Sequence, residues 1–161
     1  MASAGLTHTV LLTSDGRAVA CGEHWSGCCD IPDLEEGITY VGVAVGNHHT
    51  VLLRSDGTAV AFGSNERGQC DLPPLPDGLS FVQAAAGEYH TVLLASDGSA
   101  VACGDNEYGQ CYLHCLTPLG VGVAVERVAA GRCHTVLLTS EGMATHCGGY
   151  QDLYDELSRY R

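Results

Sequence analysis

The segment His-Thr-Val-Leu-Leu occurs four times in this chain, beginning at His8, His49, His90 and His134. Two residues beyond each copy stands a turn pair: Asp15-Gly16, Asp56-Gly57, Asp97-Gly98 and Glu141-Gly142. The first two intervals are 41 residues and the third is 44. Self-similarity at a period of this size marks a modular array, in which one unit cannot bury its apolar side alone and is covered by its neighbour. That constraint governs the rest of the reading. A polar residue that returns at the same phase of each unit is first of all a part of the repeat.

Within a unit the pattern is that of short strands. Val51 to Leu53 and Thr58 to Phe62 are runs of β-formers and small residues, and Ser55-Asp56-Gly57 lies between them. An Asp-Gly pair between two apolar runs is a strong local hairpin signal. Phe81 to Ala86 supplies a further strand, and the piece from Gln69 to Leu72 is a candidate fourth. No 3.6-residue periodicity appears in the repeats. Evenly spaced short strands separated by Gly and Pro predict an all-β, propeller-like array of three to four blades. Gly46, Gly87 and Gly131 each precede a repeat histidine by three residues, and Gly57 and Gly98 close the hairpin turns. Recurrence at one phase implies either a positive φ or the close approach of a neighbouring strand. The array is expected over residues 1–148. The tail, 149–161, breaks the β pattern: Tyr150, Leu153, Tyr154 and Leu157 follow i, i+3, i+4, i+7 spacing and would form one face of a short helix, which either packs on the last hairpin or frays, or else docks a partner.

These motifs resemble the regulator-of-chromosome-condensation repeat. The resemblance rests on the Gly-x-x-His approach, the His-Thr-Val-Leu-Leu strand, the Asp-Gly turn and the loops Gly63-Ser64-Asn65-Glu66-Arg67-Gly68-Gln69 and Gly104-Asp105-Asn106-Glu107-Tyr108-Gly109-Gln110. It covers nearly all of residues 4–148. The first unit departs from it, with His24 in place of the asparagine, and the fourth loses it after Gly148-Gly149. Cys29, Cys70 and Cys111 stand where the family usually has leucine. The resemblance implies a seven-bladed β-propeller and one of three roles: exchange factor for a small GTPase, recognition part of a large HECT-type ubiquitin ligase, or general interaction platform. A light-sensing relative depends on a tryptophan cluster, and Trp25 is the only tryptophan here. Seven blades at this period need about 290 residues, so 161 residues correspond to about half a ring. The expectation is a chain that self-associates through open ends or forms a piece of a longer propeller.

Composition narrows the partner. The net charge is -12, from 19 acidic residues against 7 arginines, and there is no lysine. Grip on a phosphate backbone comes from Lys and Arg, so direct nucleic-acid binding is disfavoured and a basic protein partner is expected. The amino-terminal stretch has neither the charged nor the apolar part of a secretory signal, and no apolar run reaches membrane-spanning length. Nine cysteines, an odd number, fit free thiols in the cytoplasm or nucleus.

Three chemical readings compete with the structural one. The four repeat histidines invite a metal site, but adjacent sheets lie about 10 Å apart and Zn–N bonds are about 2.1 Å, so equivalent histidines on successive blades cannot share one ion. Each is read instead as hydrogen-bonding a backbone group at a blade corner. Cys111-x-x-His114-Cys115 and Cys28-Cys29 with His24 are the local zinc candidates, and neither forms a paired Cys-x-x-Cys set. Cys21, Cys103 and Cys147 share a phase with Phe62, which marks an apolar slot. Cys28 falls outside these phases and is expected to be more exposed. The Gly-x-Asn-x-x-Gly loops lack the lysine and the following helix of a phosphate loop. No cofactor, metal or catalytic constellation is expected. The binding candidates are the variable positions on the repeated loop framework: Trp25, Ser26, Glu66, Arg67, Glu107 and Tyr108. The function read from the sequence is a non-catalytic protein-interaction module, with guanine-nucleotide exchange or ligase substrate recognition as alternatives.

Overall fold

The computed structural model describes residues 1–24, 26–113 and 123–149. Twelve strands form four separate three-stranded antiparallel sheets, each in sequence order. The first blade holds β1 (Ala2–Ala4), β2 (His8–Leu12) and β3 (Ala18–Gly22). The second holds β4 (Tyr40–Val45), β5 (His49–Arg54) and β6 (Ala59–Gly63). The third holds β7 (Phe81–Ala86), β8 (His90–Ala95) and β9 (Ala100–Gly104), and the fourth β10 (Val125–Ala130), β11 (His134–Thr139) and β12 (Ala144–Gly148). The fold is all-β, an open run of propeller blades, with no α-helix among the described residues. Hence no described helix is long and apolar enough to cross a membrane.

The pairings fix strand membership, and one expectation changes. The strand before each histidine joins the hairpin that follows it, so both terminal hairpins have three strands among the described residues: Ala2–Ala4 pairs with β2, and β10 with β11. The stretch from Gln69 to Leu72 is a turn and not a fourth strand. There the Asn65 side chain accepts from the Cys70 amide at 2.8 Å and donates to Asp71 at 2.8 Å, which curls the chain instead of extending it. The expected tail helix lies outside the described residues.

Strands β1, β4, β7 and β10 pack side by side along one edge of the array. A bulge recurs in three of them, at Val41, Val82 and Glu126, and leaves Val41 and Val82 about half exposed. The core is divided into three clusters, one per junction. Val10 packs with Tyr40 and Leu52, Leu53 with Phe81 and Leu93, and Leu94 with Val125 and Leu137. Leu52 and Leu93 are at most 1% exposed, and full burial of such a side chain contributes about 1.5–3 kcal/mol. Stability therefore lives between blades and not within them, as the repeat logic requires.

The Asp-Gly turns place Gly57 at φ +85° and Gly98 at φ +82°. A Cβ on Gly98 would also stand 2.5 Å from the Ala124 Cβ. Gly98→Val should therefore lower stability by roughly 1–3 kcal/mol through backbone strain and crowding. Thermal melting checks this, and an unchanged midpoint would refute the turn assignment.

Candidate protein-binding face

The repeat histidines build the scaffold of the site. His8 Nε2 meets Thr50 Oγ1 of the next blade at 2.8 Å, His49 meets Thr91 at 3.0 Å, and His90 meets Thr135 at 3.0 Å. Each threonine hydroxyl in turn donates to a backbone carbonyl, of Cys28, Gln69 and Gln110, at 2.8 Å. A hydroxyl has one proton, so toward the imidazole it accepts. Nε2 therefore carries the ring hydrogen, and Nδ1 is bare. That Nδ1 edge rests on the glycine three residues earlier: a Cβ on Gly46 would lie 2.5 Å from His49 Nδ1. Gly46, Gly87 and Gly131 are absent from the positive-φ glycines, so close approach is the cause of their recurrence. The histidine's partner is thus a side chain across the blade junction, with the backbone carbonyl one bond further on. Burial holds His8 below its ordinary pKa and pushes His49 and His90 down to about 4, with neighbouring imidazoles adding to the effect.

The same carbonyls belong to the loops that follow each outer strand. Gln69 and Gln110 are at most 1% exposed. Gln69 Oε1 accepts from the Arg67 amide at 2.9 Å, and Gln110 Oε1 from the Tyr108 amide at 3.0 Å. Gln110 Nε2 donates to Asp105 at 2.7 Å, and Asn106 Oδ1 accepts from the Cys111 amide at 2.9 Å. The buried Gln pins the loop from inside and the Asn from its rim, while residues 66, 67, 107 and 108 stay exposed. The Gly-x-x-His turns lie beside these loops: Ser64 N donates to His48 O and Asp105 N to Tyr89 O, both at 2.8 Å. Loops and turns thus share one face, and the antiparallel order puts the Asp-Gly turns on the other.

The structure brings Glu66, Arg67, Glu107 and Tyr108 onto this face, with half-buried Ser26 bonded to His48 O at 3.4 Å. Trp25 lies outside the described residues. The sequence reading missed the two residues between glycine and histidine in each turn: Asn47-His48, Glu88-Tyr89 and Arg132-Cys133 sit beside the loops. Their signal was available, because they too vary on a constant frame. The basic side chains here are engaged by acids. Arg132 pairs with Glu88 at 2.6 Å and Arg67 with Asp105 at 4.0 Å. Glu66 and Glu107 leave an acidic excess on the loops.

Among the described residues no group of three or more His, Cys, Asp or Glu could hold a metal ion. His114 and Cys115 lie outside the described residues. Cys28 is fully buried, contrary to expectation, because it occupies the phase of Gln69 and Gln110 beneath the loop. Burial pushes the thiol of Cys70 up to about 11, and those of Cys103 and Cys111 up to about 12. Such thiols are protonated at neutral pH and are poor nucleophiles.

The family model described as Regulator of chromosome condensation (RCC1) repeat matches residues 40–69 and 81–110. No curated protein matches the chain. Among solved structures, Prp20p from Saccharomyces cerevisiae is similar at TM-score 0.76 and 22% identity, over 92% of this chain and 44% of that one. Human WBSCR16 is similar at TM-score 0.76 and 22% identity, over 91% of this chain and 46% of that one. The CRINKLY WD40 ectodomain of the Arabidopsis thaliana receptor kinase ACR4 is similar at TM-score 0.63 and 17% identity, over 91% and 48%. This chain spans less than half the length of each.

Proposed function

Because the chain is a run of RCC1-type repeats folded as part of a β-propeller, we propose that it is a non-catalytic protein-binding module whose contact surface is the loop face. One observation carries this reading. Buried Gln side chains, with the Asn side chains beside them, fix the loop backbones, while the residues on top of them differ from unit to unit. Rigid display of variable side chains is what selective recognition needs, since little ordering entropy is lost on binding. The face is acidic and both of its loop and turn arginines are held by carboxylates, so the partner is a protein with a basic segment. The structure of Prp20p is described with its binding to Gsp1p and histones, which supports a protein partner. Residence in the nucleus or cytoplasm accords with that reading.

The test is fluorescence anisotropy with an arginine-rich peptide and a glutamate-rich one of equal length. Salt-sensitive binding of the basic peptide is expected, weakened at least tenfold by Glu66→Lys with Glu107→Lys. Equal binding of both peptides, or none, would sink the proposal. Guanine-nucleotide exchange is the second reading, favoured by the Gsp1p binding named for Prp20p. A panel of small GTPases loaded with fluorescent GDP separates the two, because only an exchange factor accelerates release.

A further inference from the structure

The side of each sheet that faces the preceding blade carries the same row of residues. Thr50 and Leu52, Thr91 and Leu93, and Thr135 and Leu137 hold equivalent places in it, and all six are at most 3% exposed. The first blade carries this row too, as Thr9, Leu11, Val19 and Cys21, paired across β2 and β3. Here Leu11 is 46% exposed, Val19 is 53% exposed, and Cys21 is exposed. Among the described residues, a surface that is sealed three times is open once.

What seals it is the same each time. The preceding blade offers a histidine to the threonine, and a valine two residues further to the leucine: His8 and Val10, His49 and Val51, His90 and Val92. The fourth blade carries His134 and Val136 at these positions, followed by Leu138 and its cross-strand partner Ala144, which is exposed. The equivalents of Ala144, Ala59 and Ala100, pack in the junction cores. Both halves of the junction are therefore present in one chain, on opposite sides of the array.

We propose that the open face of the first blade binds the fourth blade of a second copy of this chain, head to tail, with His134 Nε2 donating to Thr9 Oγ1 and the Leu11–Val19 surface covered by Val136, Leu138 and Ala144. The contact is heterologous, so it closes into a ring or extends into a longer run of blades according to the rotation per copy. It lies on the sides of the array and leaves the loop face free.

Sedimentation velocity over a micromolar concentration series tests this. Wild type is expected to exceed the 16.8 kDa monomer as concentration rises. Val19→Glu and Ala144→Glu each disable one side of the contact and should be monomeric alone. Mixed, they should form a one-to-one heterodimer, because each retains the side the other lacks. Thr9→Val removes only the acceptor and should weaken association about tenfold. Circular dichroism melting confirms that each variant is folded, as expected at exposed positions. A wild type that stays monomeric throughout, single variants that still associate, or a mixture that does not pair would each overturn the proposal.

Discussion

Acidification from pH 7 to pH 5 is expected to remove much of the stability of this chain. His49 and His90 are fully buried, and burial holds each at about 4 against an ordinary value of 6.5. The unfolded chain then binds protons that the native state refuses, so stability rises with pH between about 4 and 6.5 and is lost as pH falls through that window. The difference corresponds to about 3 kcal/mol for each ring when the window has been crossed. Two rings together come to a substantial share of the stability of an ordinary domain, about 5–15 kcal/mol. The geometry explains the refusal. A second ring proton must go to Nδ1, which in His8, His49 and His90 is buried without a hydrogen-bond partner. The hairpin aspartates act lower on the scale. Hydrogen bonds from Thr13, Thr58 and Ser99 hold Asp15, Asp56 and Asp97 below the usual carboxylate value, so their contribution is lost only at more acid pH. Urea midpoints measured from pH 8 to pH 4.5 check this. His49→Gln with His90→Gln should flatten the upper part of the profile. A wild-type midpoint that does not move between pH 7 and 5 would show that the imidazoles are not held neutral.

Thr91→Val should cost roughly 2–5 kcal/mol, a large loss for a change that preserves shape. The hydroxyl lies 3.0 Å from His49 Nε2 and 2.8 Å from Gln69 O, and it is fully buried. Its replacement by a methyl group orphans the imidazole donor and leaves Gln69 O with the Cys103 thiol at 3.6 Å, and each buried polar group left without a partner costs about 1–3 kcal/mol. Because the volume is kept, no cavity contributes. Thr91→Ser keeps the hydroxyl and should lose much less. Guanidinium denaturation compares the two, and equal losses would show that the methyl group matters and the hydrogen bonds do not.

The strands and turns were legible because their signals are local. Asp56-Gly57 and Asp97-Gly98 announce hairpins, and the recurrence of His-Thr-Val-Leu-Leu announces blades. The His–Thr ladder was not legible in the same way. His49 and Thr91 are 42 residues apart, and within one unit Thr50 reads only as a β-former beside a histidine. A partner one period away becomes visible only when units are stacked. The strand Ala2–Ala4 was missed because three small and polar residues carry no apolar pattern, and it is fixed by pairing with β2. Cys28 was misplaced because the first unit has cysteine where later units have glutamine, so the phase that marks it as interior is hidden by the substitution. On the proposed binding face, the loop positions emerged from variation on a constant frame. The adjoining turn residues, such as Glu88-Tyr89, obey the same rule but were absorbed into the motif that flanks them.

The glycine column at the inner edge sets a geometric property of the whole array. A Cβ on Gly46 would stand 2.5 Å from Gly87 O, and one on Gly87 would stand 2.5 Å from Gly131 O. Successive blades thus approach there as closely as bare backbone allows, while at the outer strands Val60, Phe62 and Val101 stand between one blade and the alanines of the blade before it. The difference between the two spacings is a wedge angle, repeated at every junction. Curvature in this protein is therefore written in a single atom's absence per unit. An alanine in the column would widen the radius of the arc before it disturbed any blade, and neighbouring units could then no longer meet at the angle their histidines require.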